Sequence, residues 1–148
     1  MYKRILCAVD FSDDSREAMH EAAELARQSQ AVLVLVHVWQ PPLWLTTAEY
    51  QLPGHVVQET VDLAERTLEV WKADARKLGA GEVVAKFLTG TPWDMIVSTA
   101  REDERIDLIV TGTHGRTGLR RALIGSVAEK VVRHAPCAVL VCRSREAS

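Results

Sequence analysis

The chain of 148 residues is poor in the features that mark fibrous, disulfide-bonded or membrane-spanning proteins. It holds 8 glycines and 5 prolines, too few for a collagen-like or low-complexity sequence. Its three cysteines, Cys7, Cys137 and Cys142, are odd in number and scattered, which excludes a secreted disulfide framework. No apolar run exceeds six residues, far short of the roughly 20 that cross a bilayer. Because no signal-peptide pattern follows Met1, we expect a cytoplasmic protein with no membrane partner.

The composition that is present suits one ordinary globular domain, which we place over residues 1–148. Hydrophobic residues make up 47% and charged residues 26%, so a chain of this length needs no disulfide or metal to fold. The net charge of −2 is unevenly spread, since residues 112–145 hold seven Lys or Arg and one acid. That segment carries +6 and the remainder −8, which favours a local anion site. The acidic remainder would repel a phosphate backbone, so we expect no nucleic-acid partner.

Short apolar runs alternate with segments of helical spacing along the chain. The runs predict five strands, at residues 4–9, 31–39, 83–89, 108–111 and 138–142. The spacing predicts four helices between them, the second over Val57–Leu78 after a long loop at residues 40–55 and the fourth over about Ser126–His134. This alternation predicts an α/β fold, an open parallel five-stranded sheet in order 3-2-1-4-5 with helices on both faces. Ligands of such sheets bind beyond the strand ends where the winding reverses, here between strands one and four.

That position brings together the turn after strand one and a glycine-rich loop after strand four. The loop runs from Thr111 to Gly118 and leads to Ile124-Gly125-Ser126 at the start of the fourth helix. Glycines let the backbone approach a ligand, and the amides at a helix start favour phosphate. Arg116, Arg120 and Arg121 would supply counter-charge. The alternative is a tight turn followed by an ordinary helix cap, because Ser126 with Glu129 also fits a capping box.

Known phosphate motifs do not fit this loop. It lacks the Gly-Lys-Ser/Thr ending of a P-loop, and Gly112-x2-Gly115 has the wrong spacing for the dinucleotide fingerprint.

Asp10 is either a cap for the following turn or an acceptor for a nucleotide, and His114 is either a solvated loop residue or a base. The sequence shows no cluster of metal ligands, so we expect no metal site built from protein ligands alone. It also shows no pair of a nucleophile and a base, so we expect no catalytic residues.

The motif Gly112-x2-Gly115-x9-Gly125-Ser126 resembles the nucleotide motif of the universal stress protein family, Gly-x2-Gly-x9-Gly-Ser/Thr, at every fixed position. Three further segments, Ile5–Ser12, Leu35–Val38 and His134–Val141, resemble the family's opening strand and turn, second strand and ending. The resemblance covers essentially the whole chain. It implies a Rossmann-like domain that binds ATP, with magnesium, and usually dimerises. Ala8 stands where some ATP-binding members have proline.

The resemblance also implies which positions hold the nucleotide. The adenine and ribose are expected over the ends of strands one and two, and the phosphates against the glycine loop. Asp10 would reach a magnesium ion only through the bound nucleotide. The expected binding residues are Ala8, Val9, Asp10, Val38, Thr111, Gly112, His114, Gly115, Arg116, Gly125, Ser126 and Val127.

These expectations favour an ATP-binding stress-response module that acts as a nucleotide-dependent switch or interaction protein. Two alternatives stay open: a slow ATP hydrolase, and a dimeric interaction protein whose nucleotide site is vestigial. The resemblance implies a homodimer through the fifth strand, Ala138–Cys142, which is apolar throughout yet lies at the sheet edge in the predicted order. An unnamed protein partner is expected as well.

Overall fold

The computed structural model describes residues 1–42, 53–114 and 124–145. Within these ranges strands and helices alternate as the sequence predicts. The strands are β1 (Arg4–Ala8), β2 (Val32–Trp39), β3 (Val83–Thr89), β4 (Leu108–Gly112) and β5 (Ala138–Cys142). The helices are α1 (Asp13–Ser29), α2 (Gly54–Lys77), α3 (Pro92–Glu102) and α4 (Ser126–His134).

All five strands form one parallel sheet in the order β3-β2-β1-β4-β5. Cys7 in β1 aligns with Leu35 on one side and Val110 on the other. The winding therefore reverses between β1 and β4. The sheet confirms the predicted Rossmann-like α/β fold and its strand order.

The sheet is covered on both faces, which explains why its central strands are almost entirely apolar. Alternate residues of β1 and β2 point to opposite faces, so Ile5 and Leu33 pack with α1 and α2. Leu6 and Val34 pack on the other face, with Ile96 of α3 and Val131 of α4 among their partners. Two cysteines, one just before β5 and one at its last position, divide between the faces in the same way. Cys142 belongs to the first core and Cys137 packs against the second, so these two thiols cannot share a metal ion.

The element boundaries differ from the predicted ones by small amounts. β1 ends at Ala8, one residue early, and α2 begins at Gly54, inside the predicted loop 40–55. Gly54 and His55, the first two residues of α2, are exposed and are not apolar, and so the apolar periodicity that reveals the helix does not reach them. Residues 43–52 of that loop, including Trp44, lie outside the described residues.

The helices α1 and α4 begin with different kinds of cap. Ser12 caps α1, since its Oγ accepts the N–H of Ser15 at 3.2 Å. At α4 the cap is Gly125, in an extended conformation with φ −71° and ψ 162°. Ser126 is already the first helical residue, and so the capping box with Glu129, which the sequence offered as the alternative to an anion site, does not form. Glu129 instead pairs with Arg133 one turn along the helix.

Candidate functional site

A cavity of about 450 Å³ lies beyond the carboxyl ends of the strands, on the face covered by α3 and α4. It opens at the reversal between β1 and β4, the predicted position. Ten of the twelve residues expected to bind the nucleotide line it: Ala8, Val9, Asp10, Val38, Thr111, Gly112, His114, Gly125, Ser126 and Val127. The other two, Gly115 and Arg116, lie outside the described residues.

One end of the cavity is apolar. Ala8, Val36 and Val38 project from β1 and β2, and Pro92 and Ile96 face them from α3. The sequence reasoning missed Val36, Pro92 and Ile96. Two signals point to them in retrospect: Val36 shares a strand face with Val38, and Ile96 follows Pro92 by one helical turn. This end suits a flat, weakly polar ring.

A turn stabilised by its own side chains sets Asp10 at the cavity wall. Ser12 donates to Asp10 Oδ1 from its backbone N–H at 3.0 Å and from its Oγ at 2.5 Å. The Asp10 N–H donates to Ser15 Oγ at 3.3 Å, and that hydroxyl donates to Ser12 O at 3.1 Å. Asp10 therefore has the first of its two predicted roles, because it orders the turn into α1. It also lines the cavity, so that its second predicted role, as an acceptor for a nucleotide, stays a prediction.

Phe11 anchors the same turn from the opposite face of the sheet. Its φ of 67° is left-handed, which is unfavourable for an aromatic residue. The ring stacks on His37 with centroids 4.4 Å apart and meets Trp71 edge-on at 5.3 Å. His37 is buried, and its Nδ1 lies 2.8 Å from the carbonyl oxygen of Val9. These contacts hold the backbone on either side of Asp10.

The other end of the cavity is formed by the start of α4. Gly125, Ser126 and Val127 line it, at the helix end where backbone amides have no intrahelical acceptor. The positive end of the helix dipole lies at the same place. The arrangement can accept an anionic group, and the local charge of residues 112–145 is positive.

The two described motif glycines are crowded by the chain itself. A Cβ on Gly112 would lie 2.8 Å from the carbonyl carbon of Asp14 and 2.9 Å from the backbone nitrogen of Ser15. A Cβ on Gly125 would lie 2.7 Å from the carbonyl oxygen of Thr113. Glycine at these positions lets β4 approach α1 and lets α4 begin beside β4. Close approach of a ligand is not needed to explain them.

Asp14 lies in the first turn of α1, where an acid suits the helix dipole, and it also makes contacts outside the helix. Its carboxylate is buried at the start of α1, against His114 and Ser144. Burial raises the pKa of Asp14, but the hydrogen bonds from Ser144 and His114 outweigh it and hold that pKa below the usual 3.8. Asp14 is therefore ionised at neutral pH, beside the residue that opens the glycine loop.

The three cysteines are poor nucleophiles. Burial raises the pKa of the Cys142 thiol to about 11, with help from Glu21 and Glu17. Burial also raises the pKa of Cys7 and of Cys137. A thiol is reactive mainly as the thiolate, so these shifts argue against cysteine chemistry at this site.

The described part of the chain contains neither a membrane-spanning helix nor a cluster of metal ligands. Across residues 1–42, 53–114 and 124–145, no helix has the length and apolarity needed to cross a membrane. Over the same ranges, no three His, Cys, Asp or Glu residues are close enough to hold a metal ion.

Known proteins share both the sequence pattern and the fold. The chain is 33% identical to a universal stress protein of Staphylococcus aureus (strain USA300) over 98% of this chain and 86% of that protein. The universal stress protein UspA from Lactobacillus plantarum has a similar structure, with a TM-score of 0.80, 30% identity and coverage of 96% and 98% of the two chains. The universal stress protein from Archaeoglobus fulgidus in complex with dAMP gives a TM-score of 0.68, 29% identity and coverage of 95% and 98%.

A sequence model describing the universal stress protein family matches residues 1–143. This match covers nearly the whole chain and includes each of the four segments that carry the resemblance. The chain belongs to the universal stress protein family.

Proposed function

We propose that this protein binds ATP with magnesium and acts as a nucleotide-dependent switch in a stress response. The observation that carries the proposal is the lining of the cavity. Ten of the residues that the family resemblance implies for nucleotide binding line one cavity at the winding reversal of the sheet. Its volume of about 450 Å³ is in the range of small-molecule sites.

The chemistry of the two ends supports an adenine nucleotide in one orientation. The apolar end, formed by Val36, Val38 and Ile96 with their neighbours, suits the base. The start of α4 suits the phosphates, and Asp10 lies on the wall between as an acceptor for a ribose hydroxyl. The similar Archaeoglobus fulgidus protein is described in complex with dAMP, which supports an adenine ligand.

Magnesium enters the proposal only with the nucleotide. When bound, it would neutralise phosphate charge. The residue on the wall that fits it is Asp10, whose Oδ1 is oriented by two hydrogen bonds from Ser12, and in this role Asp10 would bind the ion instead of a ribose hydroxyl. A single carboxylate among the phosphates is the usual way in which a protein shares Mg²⁺ with a nucleotide.

A switch is favoured over an efficient hydrolase. Fast hydrolysis needs an oriented water and charge stabilisation that appears only in the transition state. The amides at the start of α4 hold phosphates equally well before the reaction. The second acid on the cavity wall, Glu129, is already paired with Arg133. We therefore propose a turnover well below about 1 per second, the low end of typical enzymes.

Calorimetric titration with ATP, GTP and adenosine, each with magnesium, tests the proposal. The wild type is expected to bind ATP more tightly than GTP. Ser126→Asp places a carboxylate at the start of α4, where it favours the helix but repels phosphate. We expect this variant to bind ATP at least about tenfold more weakly while the affinity for adenosine stays within about twofold.

His55→Asp is the matched control, because it adds the same charge in the exposed first turn of α2. It should leave ATP affinity unchanged. Equal or absent heats for ATP and GTP with the wild type would contradict the proposal. Release of phosphate measured on the same samples separates a switch from a hydrolase: tens of turnovers per second would replace the first with the second.

A further inference from the structure

The carboxylate of Asp14 joins two segments that lie far apart in the sequence. Its Oδ2 accepts the backbone N–H of His114 at 3.0 Å, and His114 Nδ1 lies 3.3 Å from the same oxygen. Its Oδ1 accepts the backbone N–H of Ser144 at 3.0 Å and the Ser144 hydroxyl at 2.5 Å. Both oxygens are therefore engaged by different segments, one after β4 and one after β5.

Thr113 completes the connection next to this carboxylate. Its N–H and its Oγ1 donate to the carbonyl oxygen of Cys142, the last residue of β5, at 2.7 and 2.8 Å. Its own carbonyl accepts the N–H of Gly125, the cap of α4, at 2.6 Å. Residues 113 and 114 are thus held on one side by the end of β5 and on the other by α1 and the start of α4.

We infer that Asp14 is a positioning residue, which fixes the cavity residue His114 and ties that point to the segment after β5 through Ser144. The inference rests on the proposed function, because the phosphate end of the cavity is what this contact positions. His114 lines the cavity, and Asp14 stands behind it in the described structure. Asp14 therefore acts through His114 rather than on a ligand.

The negative charge of Asp14 lets an experiment distinguish positioning from a purely electrostatic effect. A carboxylate close to an anion site repels phosphate, and so removing its charge should tighten ATP binding if electrostatics alone mattered. Positioning predicts the opposite. Asparagine has one acceptor oxygen, and its amide group would face the donors of His114 or Ser144. Asp14→Asn should therefore release one of the two segments.

The binding test compares Asp14→Asn with Asp13→Asn, which removes the same charge from the same turn. Asp13 is exposed, whereas Asp14 is buried. Because a hydrogen bond to a charged group is typically worth a factor of about ten, Asp14→Asn should weaken ATP binding about tenfold. Adenosine affinity should stay within about twofold, since it lacks the phosphates. ATP binding by Asp14→Asn as tight as that of Asp13→Asn, or tighter, would overturn the inference.

Amide hydrogen exchange without nucleotide provides a readout that does not depend on the proposed function. Asp14→Asn should speed exchange in peptides that cover residues 113–114 and 142–145, and Asp13→Asn should not. If the wild type binds no ATP, the proposed function fails and this comparison still decides the inference. Equal exchange in the two variants would refute it.

If Asp14→Asn does not fold, Ser144→Ala tests the same contact from its other side. It removes one of the four contacts of the carboxylate and leaves α1 untouched. We expect faster exchange at residues 113–114, in addition to the region around residue 144. Unchanged exchange at 113–114 would refute the link between the end of β5 and the cavity.

Discussion

Phe11 keeps a left-handed backbone because its ring is held by its neighbours. The φ of 67° costs an aromatic residue roughly 1–2 kcal/mol relative to an ordinary conformation. The ring recovers this by stacking on His37 and by its edge contact with Trp71. The turn that carries Asp10 is therefore maintained by packing on the opposite face of the sheet.

At Phe11, substitution by glycine should destabilise the protein less than substitution by alanine, which is the reverse of the usual order. We expect Phe11→Gly to be more stable than Phe11→Ala by about 1 kcal/mol, since both lose the ring and only glycine accepts the positive φ without strain. Urea unfolding measures the difference. Phe87 in β3 is the control, because glycine in a strand interior is the worse choice there. The same order at both positions would contradict the explanation.

Gly112 is a residue at which any side chain would collide with the backbone of α1. We expect Gly112→Ala to lower the free energy of unfolding by about 1–3 kcal/mol, the usual cost of overpacking, because its Cβ would meet the backbone of α1. Gly81→Ala is the matched control, since nothing lies within 4 Å of the added Cβ. If Gly112→Ala kept full stability but lost nucleotide binding, ligand approach would be the true reason for this glycine.

At the scale of elements, α1 and α4 each have a serine near the start, but only the serine of α1 is the helix cap. Ser12 precedes α1 and accepts the N–H of Ser15, while Ser126 lies inside α4 because Gly125 takes the extended cap conformation. The N–H of Gly125 bonds to Thr113, and that contact sets where α4 begins. A capping box depends on local sequence, but here a tertiary contact overrides it.

Alanine substitutions at the two serines should therefore differ in cost. Ser12→Ala removes a cap and is expected to lower the free energy of unfolding by about 1–2 kcal/mol. Ser126→Ala removes a hydroxyl from the first helical turn and should stay within about 0.5 kcal/mol of the wild type. Thermal and urea unfolding of both variants measure the costs. Equal costs would mean that Ser126 has a capping role after all.

At the scale of the whole molecule, the two sheet edges differ. β3 carries Lys86 within its length, which discourages pairing with another strand. β5 is apolar at all five positions and lies at the opposite edge. We propose β5 as the homodimer strand on this ground, since an uncharged apolar edge invites pairing.

Light scattering of single-residue variants tests the dimer. The wild type is expected to show twice the chain mass of 16.4 kDa at micromolar concentration. Val141→Lys should reduce it to the monomer mass, because a charge on β5 disrupts edge pairing. Thr89→Lys places the same charge on the exposed end of β3 and should leave the dimer intact. A monomeric wild type would contradict the proposal.

The alternation of elements and the strand order follow from the sequence alone, and ten of the cavity residues follow from its resemblance to the universal stress protein family. Apolar periodicity is local, and the rules for parallel sheets leave few topologies, so the winding reversal and the cavity beside it could be placed in advance. The glycine motif, through its resemblance to the family, predicted that the start of α4 would line this cavity.

Only the tertiary structure decided which atoms meet there. The contact of Asp14 with Ser144 spans 130 residues, and the crowding at Gly112 depends on how closely α1 approaches β4. Such contacts arise from shifts of a fraction of an ångström between distant segments, which no local pattern encodes. The same holds for Gly125 as the cap of α4, for Phe11 held by His37, and for the apolar end that Pro92 and Ile96 add to the cavity.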